Sequence, residues 1–339
     1  MWKATGKTET RLNAVWGSGP DDVWLVGAER LFHFKDRRLQ PHALPTIKGL
    51  QLRAVWGHGA TTVWVVGSVL TAPQNPPDPE KRSCLLLHFD GEVWVADQRT
   101  ASVYNAYLGA VFGSGEDDVW AAGKGGLMLH KSGPCPCWDG TCQCWRQEPA
   151  PSSDINALWG SAPGDVWAVG QRGQLLHYNG ATWSAVSSTD RANLNGVFGS
   201  AANDVWAVGS GGTIRHYDGA AWSTVASGTT SLLYAGWSAG RNDAWVVGSR
   251  GALLRWDGAT WTTQGGAADR ELRGVWGSGG LVYAVGSTSG GGVILRYRAG
   301  TWTLVHSDQT HKWNAIWGSG PSDIWVGGEA LNGPAQASL

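Results

Sequence analysis

Charge is scarce in this chain. Charged side chains make up 16% of its 339 residues, against about 25% in ordinary usage. With 26 basic and 27 acidic residues the net charge is −1. So even a balance leaves no electrostatic footprint for nucleic acid or an anionic membrane surface. No apolar run approaches the roughly 18 residues of a membrane span, which argues against direct membrane insertion by a helix. The N-terminal MWKATGKTETR has no apolar core and does not read as a signal peptide. Methionine occurs twice and cysteine five times. A nucleophile elbow, a phosphate loop and an H-E-x-x-H motif are all missing. Nothing in the sequence asks for a cofactor.

Two residue types are in excess. The chain holds 50 Gly and 23 Trp. Glycine at this level without a G-X-Y period is not collagen, and 42% hydrophobic residues is too apolar for disorder. Many turns joined to many aromatic strands is the natural reading. The length exceeds a usual single domain, but repeat folds break that prior.

The repeat is plain to see. Asp165 to Trp183 reads DVWAVGQRGQLLHYNGATW. Near copies begin at Asp204 (DVWAVGSGGTIRHYDGAAW) and Asp243 (DAWVVGSRGALLRWDGATW). An L-x-x-V-(W/F)-G signature carries Trp16, Trp56, Phe112, Trp159, Phe198, Trp237, Trp276 and Trp317, spaced 39 to 56 residues apart. A second aromatic follows eight residues later in seven units and seven later, as Tyr283, in the eighth. A third comes after an (Asn/Asp)-Gly turn: Trp94, Trp145, Trp183, Trp222, Trp261 and Trp302, with Leu39 in that place in the first unit.

Each unit reads as four strands, A to D. In the fourth, strand A lies around Leu158-Trp159, and a turn spans Gly160 to Gly164. Strand B is Val166–Val169 and strand C Leu175–Tyr178. Asn179-Gly180 reads as a type I′ turn with both residues at φ > 0, and strand D starts near Trp183. Strands this short at a period near 40 mark an all-β fold, the β-propeller of four-stranded blades. The aromatics would fill the wedge between neighbouring blades. The expected blades are 12–49, 50–105, 106–152, 153–191, 192–230, 231–269, 270–311, and 312–339 joined by 1–7. The N-terminal segment would supply strand D of the last, which closes the ring. This makes one propeller domain of eight blades. The alternatives are seven blades with an appended hairpin, or a window of a longer array.

The repeat VWGSxxxDVWAVGxxGxLLHYDGxxW resembles propeller repeats of secreted proteins and lipoproteins of myxobacteria and related bacteria. It is also similar to the Asp-box (BNR) propellers, which include sialidases and many non-enzymatic binders. The Asp-box S-x-D-x-G-x-x-W is matched approximately, since the turn at Asp218-Gly219-Ala-Ala-Trp222 is one residue tighter. The resemblance implies the fold. It leaves the activity open, because propellers host many.

Three side-chain patterns could carry chemistry. An Asp precedes strand B at Asp22, Asp118, Asp165, Asp204, Asp243 and Asp323. A ring of carboxylates for cations is one reading. A turn-closing Asp that accepts local backbone N–H bonds is the other, and is favoured. A basic residue recurs on strand C: His33, His88, His130, His177, His216, Arg255 and Arg296. The hairpin places His177 opposite Val166 and beside Asp165, so a hydrogen bond within the blade is expected. The exchange of His for Arg suits a donor and not a metal ligand, and no metal site is expected. Third, Cys135, Cys137, Cys142 and Cys144 fold about Asp139-Gly140. Cys137 then faces Cys142, and Cys135 faces Cys144. Opposed Cα atoms about 4.5–5.5 Å apart suit disulfides, which want about 4.4–6.8 Å. A four-cysteine zinc site is an alternative, though C-x-C pairs splay their sulfurs; free thiols are another. Cys84 reads as a buried residue at the start of strand C.

Function is sought where units depart from the repeat. Long B–C connections are expected at Ser68–Ser83, Ser287–Gly292 and Glu329–Ala337, and a long D–A connection at Gln40–Gln51. All four fall on one face. The candidate ligand-binding residues are Asn75, Asp78, Lys81, Arg82, Glu329 and Asn332, with Trp138 at the tip of the cysteine hairpin on the other face. Trp138 and Trp313 are the off-pattern tryptophans that could stack on a sugar. The expected function is a non-catalytic module binding a glycan or a protein. An Asp-box type glycoside-processing enzyme is one alternative, although no arginine cluster with an acid and a Tyr–Glu pair can be assembled. A structural or assembly subunit is another. Two disulfides would imply a secreted, cell-surface or periplasmic protein whose leader is absent from this chain; a cytoplasmic location is the alternative.

Overall fold

The structure is a computed structural model. It describes residues 4–7, 11–71, 81–96, 107–133, 137–138, 141–142, 145–149, 153–187, 190–265, 268–331 and 336–338. Among the described residues no helix is long and apolar enough to cross a membrane.

The fourth unit shows how the sequence builds a blade. Its strands are Ile155–Ala162, Asp165–Gly170, Leu175–Tyr178 and Trp183–Ala185, hydrogen-bonded in that order as an antiparallel meander. Strand B is buried on both faces, and successive side chains point opposite ways. Val166 and Ala168 join a cluster with Trp120, Ala122 and Met128 of the preceding blade. Trp167 and Val169 join one with Leu194, Val205 and Ala207 of the next. A single sheet thus supplies half of two wedges, and each wedge becomes a core only when the neighbour is present.

Among the described residues the strands form eight four-stranded sheets and one two-stranded ribbon. This is an all-β propeller of four-stranded blades. One sheet draws on both ends of the chain, with Ala4–Lys7 pairing Gln336–Ser338 beside Asp323–Ala330 and His311–Gly320.

Several local expectations are corrected. Strand A of the fourth unit does not stop at Trp159 but runs on to Ala162. The ladder absorbs Ser161 as a bulge, with Gly160 opposite Val166 and Ala162 opposite Asp165. His177 lies opposite Trp167, and Val166 faces Tyr178. The B–C turn is one 3-10 turn, Gln171–Gly173, which sets the register one residue away from the expected one. The Asn179-Gly180 turn is not type I′, for only Gly180 has positive φ, at 92°. Four residues separate Tyr178 from its partner Trp183. The Asn179 side chain accepts from the N–H of Ala181 and of Thr182, each at 3.0 Å. A side chain closing its own loop removes the need for a second left-handed residue. In the first blade both turn residues do have positive φ, Asp36 at 52° and Arg37 at 59°.

Among the described residues the expected long connections begin and end in strand, while 43–49 stay a loop. Ser287 and Gly292 are paired with each other, and the ladder reaches Thr288 and Gly291. Ser68–Thr71 pair with Lys81–Cys84. Glu329 pairs with Lys312, and Gln336–Ser338 form a strand. Gln40 and His42 belong to strand D of the first blade. Extending a hairpin satisfies backbone donors and acceptors that an open loop would leave to water.

Candidate functional site

The most regular chemistry lies in the wedges. In the first blade Trp24 stacks on His33 with centroids 3.9 Å apart and planes at 8°. The His33 Nε2 lies 2.5 Å from Asp22 Oδ1, and Ser18 donates its hydroxyl to the other carboxylate oxygen. The same Trp, His, Asp and Ser recur as Trp120, His130, Asp118 and Ser114. They recur again as Trp167, His177, Asp165 and Ser161, and as Trp206, His216, Asp204 and Ser200. In the sixth blade Arg255 takes the His place and donates to Asp243 at 3.0 Å.

These are the Asp and His/Arg columns of the sequence, and each pair meets inside one blade. The Asp partners are a hydroxyl and a ring nitrogen, not the local backbone N–H groups expected. The order also matters for chemistry. Activating a serine requires the imidazole to touch the hydroxyl. Here the carboxylate stands between them, so the hydroxyl is bound to an acceptor that is already charged. Burial pushes the Asp204 carboxyl up, but hydrogen bonds from His216 and Ser200 outweigh it and hold the group below its ordinary value. Asp22 behaves alike with His33 and Ser18. Among the described residues no group of three His, Cys, Asp or Glu could hold a metal ion.

Among the described residues, two blades that keep the basic residue on strand C break this network. The second has Thr62 in the Asp place. Its His88 still stacks on Trp64 at 4.0 Å, but Nε2 is buried without a hydrogen-bond partner. Burial lowers the His88 pKa to about 4. In the seventh blade Arg296 is left with a buried Nε and no partner for it.

A second regular contact ties blades at the inner strand. The residue after the first Leu of the signature is Asn in several units. Asn13 donates to Leu52 O at 2.7 Å, Asn156 to Leu194 O at 2.7 Å, Asn195 to Leu233 O at 2.8 Å and Asn314 to Leu12 O at 3.3 Å. Each bond runs to the next blade. Four units depart from it, with Arg53, Gly109, Tyr234 and Arg273 in that place. Tyr234 donates to the Glu271 carboxylate instead. Burial and that carboxylate push its pKa up to about 12. Arg273 lies over the Tyr234 ring at 5.3 Å. Arg53 places its guanidinium 4.2 Å from the centre of the Tyr107 ring.

These departures sit at the end of strand A that meets the B–C turns. That end is the predicted loop face, where B–C turns bond directly to D–A segments, as in Gln171 N to Asp154 O at 2.9 Å and Ser249 N to Leu232 O at 2.8 Å. Of the candidate residues, Glu329 accepts an ion pair from Arg11 at 3.3 Å. Arg82 lies on strand C of the second blade opposite Leu70, and Lys81 lies beside it opposite Thr71. Asn75, Asp78 and Asn332 lie outside the described residues. The hairpin backbone pairs Cys137 with Cys142 and Trp138 with Thr141. The side chains of Cys137, Cys142 and Trp138, and all of Cys135 and Cys144, lie outside the described residues, and with them the disulfide expectation. Cys84 is 1% exposed and sits inside strand C, not at its start. Trp313 is fully buried in the place of the signature Leu and is no stacking platform.

The sequence reading passed over Arg53, Tyr107, Tyr234, Glu271 and Arg273. The signal was in the repeat all along: aligned on the signature, the column of Arg53, Tyr234 and Arg273 holds Asn in four units, and Tyr107 and Glu271 stand two places before that column's residue in their own units. It also passed over a cavity of about 640 Å³ between the first two blades. This is lined by His33, Gln40, His42, Phe89 and Glu92, among others.

The shape has many relatives. It superposes on the computationally designed Ika8 protein with a TM-score of 0.69 at 15% identity, covering 98% of each chain. The C-terminal WD40 domain of Sif2 matches with a TM-score of 0.69 at 10% identity, over 100% of this chain and 98% of that one. YCF48 bound to D1 peptide matches with a TM-score of 0.57 at 13% identity, over 100% and 94%. Identities this low speak for the fold alone. No family model matches the sequence, and no curated protein does.

Proposed function

We propose that this chain is a binding module, an eight-bladed ring that recognises a protein segment on the face of its B–C and D–A connections. One observation carries the reading. The wedge network repeats with its hydrogen bonds satisfied inside most blades, so it specifies the ring, whereas the inner ends of the strands on that face differ from blade to blade. Variation on a rigid scaffold is where recognition residues belong. A propeller of this shape has been solved as YCF48 bound to D1 peptide, which supports a peptide-sized ligand. Selection of random displayed peptides on the purified protein tests the reading. Selected peptides should be competed away by substitutions at Arg53, Tyr234 or Arg273, and not by substitutions at Asn179 or Asp257 on the other face. Failure to select any peptide removes the reading.

A glycan is the second reading, favoured by the cavity between the first two blades. Its volume falls within the roughly 300–1,000 Å³ of small-ligand sites. Its lining mixes Phe89 with the polar Gln40, Glu92 and His42, as a sugar requires. A glycan array repeated with Gln40→Ala tests it. The proposal of an oxidising compartment rests on the cysteine hairpin; four reactive thiols there after chelation would end it.

A further inference from the structure

We propose that Arg53, with Arg11 and Arg82 beside it, forms a carboxylate-binding site at the inner mouth of the ring, and that its ligand is an acidic segment of a protein partner. This rests on the protein-binding reading above and names its contact.

The first argument is the column. Where four units use Asn to tie one blade to the next, the second unit gives up that bond for an arginine. The residue that ties blades at this position in four units is Asn, and Arg53 does not make that bond.

The second argument is the guanidinium itself. Tyr107 holds it from one side at 4.2 Å. Its Nε is buried with no hydrogen-bond partner, and its Nη2 reaches only the Gln51 amide at a long 3.5 Å. Among the described residues no carboxylate lies within ion-pair distance of it. The Arg in the same column of the seventh blade differs. Arg273 has Glu271 at 3.9 Å as well as the Tyr234 ring. A planar guanidinium presents paired donors that match both oxygens of a carboxylate, and Arg53 is placed but not matched.

The third argument is the surrounding charge. Burial lowers the pKa of Arg53; Tyr107 opposes that, while Arg82 and Arg11 lower it further as like charges. Arg11 is engaged by Glu329 and Arg82 has a contact of its own, so it is Arg53 that the ligand would match. A bound carboxylate would relieve the repulsion and supply the acceptor that Nε lacks.

The probe is fluorescein-labelled hexaglutamate, followed by anisotropy at low salt, with hexaserine as control. One arm has a free C-terminus and the other an amidated one, which separates side-chain carboxylates from a chain-terminal one. The wild-type protein should bind hexaglutamate saturably and release it as salt rises. Arg53→Asn should weaken binding about tenfold or more, and Arg53→Lys should fall between. Because Asn is the residue that other blades carry there, Arg53→Asn should keep its thermal midpoint. Arg250→Gly, on the same face, should bind as wild type. The proposal is overturned by hexaserine binding equally, by no saturable binding to hexaglutamate, or by equal affinity in Arg53→Asn. It is also overturned if Arg250→Gly loses as much as Arg53→Asn. A display-selected peptide that binds Arg53→Asn unchanged removes this site and leaves the protein-binding reading standing.

Discussion

The indole of Trp317 rests against Gly17, so close that a β-carbon there would lie 2.7 Å from the Trp317 ring and 2.7 Å from the carbonyl of Asp22. Trp16 stands in the same relation to Gly57, with a β-carbon 2.5 Å from its ring. The contact of Trp317 with Gly17 joins the last signature to the first. Gly17→Ala should therefore destabilise the whole ring by about 1–3 kcal/mol. Gly19→Ala, where a β-carbon would meet nothing within 4 Å, should change little. Urea unfolding of the two variants checks this.

His88 makes the second blade sensitive to acid. Its folded pKa is about 4, against about 6.5 unfolded. The unfolded chain thus binds the proton first. The stability that His88 contributes is complete above pH 6.5 and is lost as pH falls from 6.5 toward 4, by at most about 3 kcal/mol. Thr62→Asp rebuilds the pair seen in other blades and should raise the His88 pKa. Titration of the imidazole by NMR would show it, and an unchanged pKa would mean that the carboxylate does not reach the ring.

Asp204 works at lower pH. Its folded pKa lies below the ordinary value, so its contribution is present above about pH 4. It is lost as pH falls through the depressed folded value. The side chain is 1% exposed. Asp204→Asn should cost about 2–3 kcal/mol, the worth of a charged hydrogen bond. It should also flatten the acid limb of the stability curve, measured by denaturant titration from pH 6 down to pH 2.

Arg172 and Arg250 occupy the left-handed position of their B–C turns, with φ of 57° and 54°. Gly125 and Gly211 hold that position in two other blades. A non-glycine residue there costs about 1–2 kcal/mol, partly offset by the greater freedom of glycine when unfolded. Arg172→Gly and Arg250→Gly should each raise stability by about 0.5–1 kcal/mol, read from the thermal midpoint.

Much of the blade was legible in the residues. Trp24, Trp120, Trp167 and Trp206 recur where a strand buried on both faces needs large aromatics, and a period of two needs only local sequence to be read. The pairing of His177 with Asp165 was legible for the same reason. Its stack on Trp167 was not, because the register hangs on a 3-10 turn at Gln171–Gly173 whose length the letters alone do not state. Asn179 shows the same limit: its side chain closed a longer turn that the Asn-Gly pair read as a shorter one. The extended hairpin at Ser287–Gly292 looked like a loop because glycine is permissive in both.

What the sequence determined by itself is the unit: four short strands, their aromatic columns and the pairing of Asp with His or Arg inside most blades. These depend on neighbours within one repeat. What only the tertiary structure decided is where the units stop being equivalent. Arg53 meets Tyr107 of the next blade, and Tyr234 meets Glu271 of the next. The first two blades leave a cavity between them, and Trp317 finds Gly17 some 300 residues away in the chain. Each of these is a contact between repeats, set by how one blade is rotated against another, and no local pattern encodes that rotation.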